Sequence, residues 1–132
     1  MILANLVWMF HILVILVVLV LPFTNIPALL LLHFVFGTSL LVHWYFNSDI
    51  CSLTLIESKL RGIKISDSFS HKLISPLYTI SKTDWSNVCY IIVIVLSSIS
   101  LYKFLKSDAL KKSKECFKKN RKLQCFLPLF KL

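Results

Sequence analysis

The sequence predicts an all-α integral membrane protein with three transmembrane helices plus short amphipathic interfacial helices. Three observations predict it. Hydrophobic residues make up 57% of the 132-residue chain, above the roughly 45–50% usual in soluble domains. That apolar mass is gathered into three runs of about 20 residues, the length of helix that crosses a hydrocarbon core about 30 Å thick. Residues 1–46 contain no Lys, Arg, Asp or Glu, whereas ten of the fifteen basic residues lie from Lys103 onward.

The first run, 2–23, is interrupted only by Asn5 and His11. It reads as a retained span rather than a cleaved leader: no Lys or Arg precedes it, it is too long, and no small-x-small cleavage site follows. Pro22-Phe23-Thr24-Asn25, followed by Pro27, makes a tight turn because each proline interrupts helical hydrogen bonding. A second span over 26–46 ends in His43-Trp44-Tyr45, with the aromatics expected at the headgroup level. These two spans form an antiparallel helical hairpin. Asn47-Ser48-Asp49 then breaks the pattern and opens an amphipathic segment over 50–80. A short helix from Thr54 places Leu53, Ile56, Leu60 and Ile63 on one apolar stripe, expected to lie in the interface or against the hairpin, and Gly62 ends it. A second short helix is expected over Asp67–Ile74, stopped by Ser75-Pro76, with Phe69, Leu73, Leu77 and Tyr78 as its apolar face. Thr83-Asp84 is the expected N-cap of a third span over 85–105, with Trp85 and Tyr90 at one end and Tyr102 at the other. The chain thus reads as one membrane domain, 1–105, and a basic membrane-proximal tail, 106–132.

The net charge of +9 follows from that tail. A basic tail beside a span meets anionic lipid headgroups, and no nucleic-acid module accompanies the charge, so nucleic-acid binding is not expected. The implied partners are the bilayer itself, its anionic headgroups and a membrane-protein partner. Ten basic residues in the tail against five in the 47–85 loop place the tail in the cytosol by the positive-inside rule, with the N-terminus and the loop outside.

Cys51, Leu53, Thr54, Glu57, Leu60 and Arg61 resemble the core motif Cys-Pro-Leu-Thr-x-x-Glu-Asn-x-Leu-Arg of a family of small bacterial membrane proteins known only as a domain of unknown function. Ala4-Asn5-Leu6-Val7 with His11 looks like that family's Ala-Asp-Leu-Val-x-x-x-His. Phe69, His71 and Pro76-Leu77-Tyr78 resemble its Phe-x-x-His followed by Pro-Leu-x-Tyr. The resemblance covers roughly residues 4–105. Ser52, Ser58 and Asn5 depart from the family's Pro, Asn and Asp, as does the spacing around His71 and Tyr78. Asn5 matters most, because it removes a carboxylate. The resemblance implies a compact membrane bundle and no assigned activity.

The residues able to carry chemistry each have a structural reading beside the functional one. Thr54-x-x-Glu57 has the form of a capping box, and Glu57 and Arg61 stand at i and i+4 in the favourable order, worth about 0.2–0.5 kcal/mol. If buried, Glu57 could instead carry a proton or a ligand with Cys51 and His71. His11 lies about 18 Å from the turn and His33 about 12 Å along their helices. That offset lets them bracket a b-type haem, although hydrogen bonding between helices by His11 and Asn5 explains the first span as well. The four cysteines lack Cys-x-x-Cys spacing, so no zinc site is expected. Cys51 and Cys89 share one side of the proposed topology and could form a disulfide, while Cys116 and Cys125 read as free thiols in the tail, or as palmitoylation sites. No Gly-rich phosphate loop, Ser/His/Asp set or paired-carboxylate motif occurs, and no catalytic residue is assigned. The leading expectation is a non-enzymatic structural or accessory membrane component. Its rivals are a haem-binding or other redox membrane protein using His11 and His33, and a membrane enzyme using Cys51, Glu57 and His71.

Overall fold

A computed structural model describes residues 2–48, 50–64, 82–120 and 125. Its described elements are helical: α1 (Ile2–Val20), a 3-10 turn (Leu21–Phe23), α2 (Pro27–Phe46), α3 (Ser52–Arg61), α4 (Lys82–Lys106) and α5 (Asp108–Asn120). Three stretches, Ile2–Phe23, Pro27–Phe46 and Ser86–Lys106, are long and apolar enough to cross a membrane, within a residue or so of the boundaries read from the sequence. The expected Asp67–Ile74 helix and His71 lie outside the described residues.

The helices begin and end where backbone chemistry requires. α1 stops because Pro22 has no N–H to offer the helix, and the chain tightens through Leu21–Phe23, where the backbone N–H and the hydroxyl of Thr24 both donate to Leu21 O. Pro27 opens α2 at the one place where a missing N–H costs nothing. α4 begins at Lys82, earlier than the expected Thr83-Asp84 cap. Asp84 therefore falls inside the first turn, where its charge faces the positive end of the helix dipole. α3 ends at Gly62, whose φ of +63° is left-handed. Gly62 N–H bonds to Lys59 O and Ile63 N–H to Ser58 O, closing a Schellman motif.

The chain divides into two compact units. The first, Met1–Leu16 with Leu40–Ile92, contains the start of α1, the end of α2, α3 and the start of α4. Trp44 and Tyr90 meet edge to face there, ring centres 5.5 Å apart, so one belt aromatic of each span is used in packing. The second unit, Val17–Ser39 with Val93–Leu132, contains the hairpin turn, the end of α4 and α5. Leu30 and Phe104 form its apolar centre, with Ala109 and Leu110 of α5 packed on it. The start of the tail, expected to be a lipid-facing cationic segment, is thus an amphipathic helix with one apolar edge on this cluster. Lys111, Lys112, Lys114, Lys118 and Lys119 stand exposed.

Along α1, Ile2, Leu6, Met9, Phe10, Leu13 and Leu16 are exposed. A row of large apolar side chains with so few protein neighbours is the surface expected against lipid.

Gly37 marks a close approach of α2 to α4. A Cβ at Gly37 would collide with the Ser97 hydroxyl of α4. Gly37→Ala should destabilise the protein by about 1–3 kcal/mol through overpacking, and adding Ser97→Gly should restore most of the loss. Unfolding titrations of the single and double variants in mixed micelles check this; additive losses would mean that the two positions do not touch.

Candidate functional site

The polar residues gather into two clusters, one in each unit. In the first, α3 turns its polar stripe inward. Thr54, Glu57, Ser58 and Arg61 recur at i, i+3, i+4 and i+7, one face of a helix. Thr54, Glu57 and Ser58 are all buried, while the apolar Ile56 and Leu60 are 46% and 42% exposed. The sequence reading had placed the apolar stripe against the protein or in the interface; the polar stripe takes the protein side.

Glu57 is 3% exposed and is held at one oxygen. Arg61 Nε donates to Glu57 Oε1 at 3.0 Å, and Arg61 Nη2 donates to Asn5 Oδ1 at 3.0 Å. Arg61 therefore links α3 to the first turns of α1. Glu57 Oε2 is buried and has no hydrogen-bond partner among the described residues. His11 is also buried and lies close enough to Glu57 for their charges to interact.

The capping box does not form. α3 starts at Ser52 with Cys51 as its N-cap residue and no side-chain cap bond from it, so Thr54 sits within the first turn. The donor left open at the helix start is taken by His43: Ser52 N–H donates to His43 Nε2 at 3.2 Å. Asn47 Nδ2 lies against the same ring, 3.1 Å from Nδ1 and 3.2 Å from Nε2, and donates to Ser52 Oγ at 3.4 Å. His43 acts as a long-range cap in place of the expected local one.

The second cluster surrounds His33, which is fully buried. Its Nε2–H donates to Val18 O at 3.0 Å. A carbonyl can only accept, so Nδ1 is the acceptor nitrogen of the neutral ring, and the Ser100 hydroxyl donates to it at 2.8 Å. Val18 is four residues before Pro22, so its carbonyl is the one that proline leaves without a helical donor. His33 supplies that donor from the neighbouring helix. Lys103 does the same for the turn: its Nζ donates to Pro22 O at 3.1 Å and to Thr24 O at 2.6 Å.

The residues singled out from sequence therefore separate. Asn5, Glu57, Arg61 and His11 come together, and Thr54 shares their side of α3. Cys51 and Leu53 are half-buried on the same short element. Cys51 and Glu57 are six residues apart, about 240° of helical rotation, so they do not share a face. His33 belongs to the other unit, with both ring nitrogens already bonded. The Cys51–Cys89 disulfide is not formed; both are free thiols. Cys116 and Cys125, expected as free or palmitoylated, are bonded to each other across a Cα–Cα distance of 5.4 Å, within the range that a disulfide requires. Among the described residues no three His, Cys, Asp or Glu side chains converge as a metal set. Ser100, Lys103 and His43 were missed as site residues. For His33 the signal was present, because Pro22 marks Val18 O as an orphan acceptor. For Ser100 and Lys103 none was, since their register depends on how α4 packs.

No protein-family model matches the chain, no curated protein matches it in sequence, and no solved structure matches it in fold.

Arg61→Met should destabilise the protein by on the order of 2–3 kcal/mol, somewhat below the 3–5 kcal/mol of a fully enclosed pair because Arg61 is partly exposed. Adding Glu57→Leu to that variant should recover most of the loss. A double-mutant cycle read by unfolding checks it, and a cycle that closes near zero would show that the ion pair couples nothing.

Proposed function

We propose that this chain is a multi-pass membrane protein and a non-enzymatic accessory or structural component of a membrane assembly. The observation that carries this reading is the use made of its polar side chains. His33 and Lys103 satisfy backbone carbonyls around the turn, His43 caps α3, Ser100 fixes the His33 ring, and Arg61 joins α3 to α1. In hydrocarbon each unmade backbone bond costs several kcal/mol, so these groups are committed to holding the bundle. The exposed apolar row on α1 and the outward Ile56 and Leu60 support membrane insertion. The hydrogen bond from Arg61 to Asn5 brings together two of the motifs behind the resemblance to the small bacterial family, which we carry as part of this proposal.

The haem reading is disfavoured by His33. A ligand bond from Nδ1 would displace Ser100, and one from Nε2 would reopen Val18 O. The enzyme reading keeps one supporting observation, the vacant and buried Oε2 of Glu57. Protein purified in mild detergent should show no Soret band, oxidised or reduced. His33→Ala should lower its stability by about 2 kcal/mol through the reopened carbonyl without changing the visible spectrum. A Soret band lost in either His11→Ala or His33→Ala would replace the accessory reading with the cofactor one. An accessory component should also retain a partner at fixed stoichiometry through purification in native nanodiscs.

We place the tail in the cytosol, on the strength of its charge. The Cys116–Cys125 disulfide favours the opposite orientation, because cytosolic thiols are kept reduced. A phosphatase reporter joined after Leu132 should be inactive, and an active reporter there would reverse the topology.

A further inference from the structure

We propose that the open cleft at the end of α4 binds a phosphate-bearing anion, and that its source is the headgroup of an anionic lipid. The proposal rests on the membrane reading above and deepens it: the charged tail becomes one defined site rather than a diffuse surface. The cleft has a volume of about 270 Å³ and is lined by Asn25, Leu30, Tyr102, Lys103, Lys106 and Ser107. No carboxylate lines it. Each of its polar side chains can donate. Lys103 Nζ uses two protons on Pro22 O and Thr24 O, which fixes the ammonium group and leaves its third N–H for a ligand. Lys106 Nζ lies over the Tyr102 ring, 4.7 Å from its centre, so a second positive charge is steered beside the first. Ser107 Oγ accepts Leu110 N–H at 3.3 Å, which leaves its own hydroxyl proton free. That bond makes Ser107 the N-cap of α5, a helix of 13 residues, and the cleft therefore also receives the positive end of α5. The nearest carboxylate on α5, Asp108, is exposed and paired with Lys111 at 3.4 Å.

A lipid rather than a free anion is favoured by what surrounds these donors. Phe23, Tyr102 and Leu105 are exposed at the same end of the bundle, so the polar cleft is rimmed by apolar side chains suited to acyl chains. The ends of the Pro27–Phe46 and Ser86–Lys106 spans put the cleft at headgroup depth, and the exposed Tyr102 fits that level.

The test uses the full chain in nanodiscs of phosphatidylcholine, titrated with phosphatidylglycerol and read by native mass spectrometry after release into detergent. One phosphatidylglycerol should stay bound to the wild type. Lys106→Gln should weaken its retention about fivefold, the equivalent of the roughly 1 kcal/mol carried by one basic residue near an anionic surface. Lys106 is chosen because Lys103 also holds the turn. The combined variant Lys112→Gln, Lys114→Gln and Lys118→Gln, all on the exposed face of α5, should keep the bound lipid. Equal losses in the two variants, or no loss in Lys106→Gln, would overturn the site. Inorganic phosphate displacing the lipid at an equal concentration would overturn the lipid as source. Failure of the chain to enter nanodiscs at all would instead overturn the membrane reading on which the proposal stands.

Discussion

The constraint on which most of this structure depends is the carbonyl that Pro22 leaves behind. A proline four residues after Val18 deprives Val18 O of its helical partner, and a buried carbonyl left unpaired is costly. The hairpin needs the proline, because the chain must reverse within a few residues between two spans. It therefore needs a donor from elsewhere, and His33 provides one. The ring then has a second nitrogen to satisfy, which brings in the Ser100 hydroxyl from α4. Lys103, one turn further along α4, takes the next two open carbonyls, Pro22 O and Thr24 O. The register of α4 against the hairpin is thus set by three polar contacts, each answering a backbone group the turn exposes. Gly37 and Ser97 permit the close approach that those contacts require.

On the membrane reading proposed above, a lipid surround accounts for the inverted face of α3. In water a short amphipathic helix buries Leu and Ile and exposes Glu and Arg. Here Thr54, Glu57 and Ser58 are buried and Ile56 and Leu60 face outward. Lipid tails give apolar side chains no reason to turn inward, since they are as apolar as leucine. Polar side chains gain from facing one another, and so the stripe that carries Glu57 and Arg61 becomes the inner face. Glu57 could hardly be buried without Arg61 four residues on, and Arg61 gains a second acceptor in Asn5. Because Asn5 is neutral, Arg61 faces one negative charge, that of Glu57. The pair is then internally neutral.

How legible this was in the sequence depended on whether a feature is local. The three long helices, the turn at Pro22, the stop at Gly62 and the Glu57–Arg61 pair are set by neighbours within a few residues, and all could be read directly. The direction in which α3 faces could not, because its two stripes are equally regular and only the solvent chooses between them. The Thr54–Glu57 capping box failed for a related reason: a local motif competed with a distant ring, and His43 gave Ser52 N–H a partner two residues earlier. The bond between Cys116 and Cys125 lay outside any spacing argument, since it depends on where Cys125 is placed against α5.

What remains once these obligations are met is narrow, and it bears on what the protein can do. Among the described residues, His33, His43, Ser100, Lys103 and Arg61 are each bonded to the protein's own backbone or side chains. Glu57 Oε2 and Ser97 Oγ are buried acceptors without hydrogen-bond partners among the described residues. Ser97 is explained by the crowding at Gly37, where its hydroxyl occupies the space that a side chain would fill. Glu57 Oε2 has no such explanation within the described bundle. A carboxylate oxygen kept from water and given no donor is costly, and the cost is removed once something donates to it. Cys51, about 240° around the helix from Glu57, does not share a face with that oxygen.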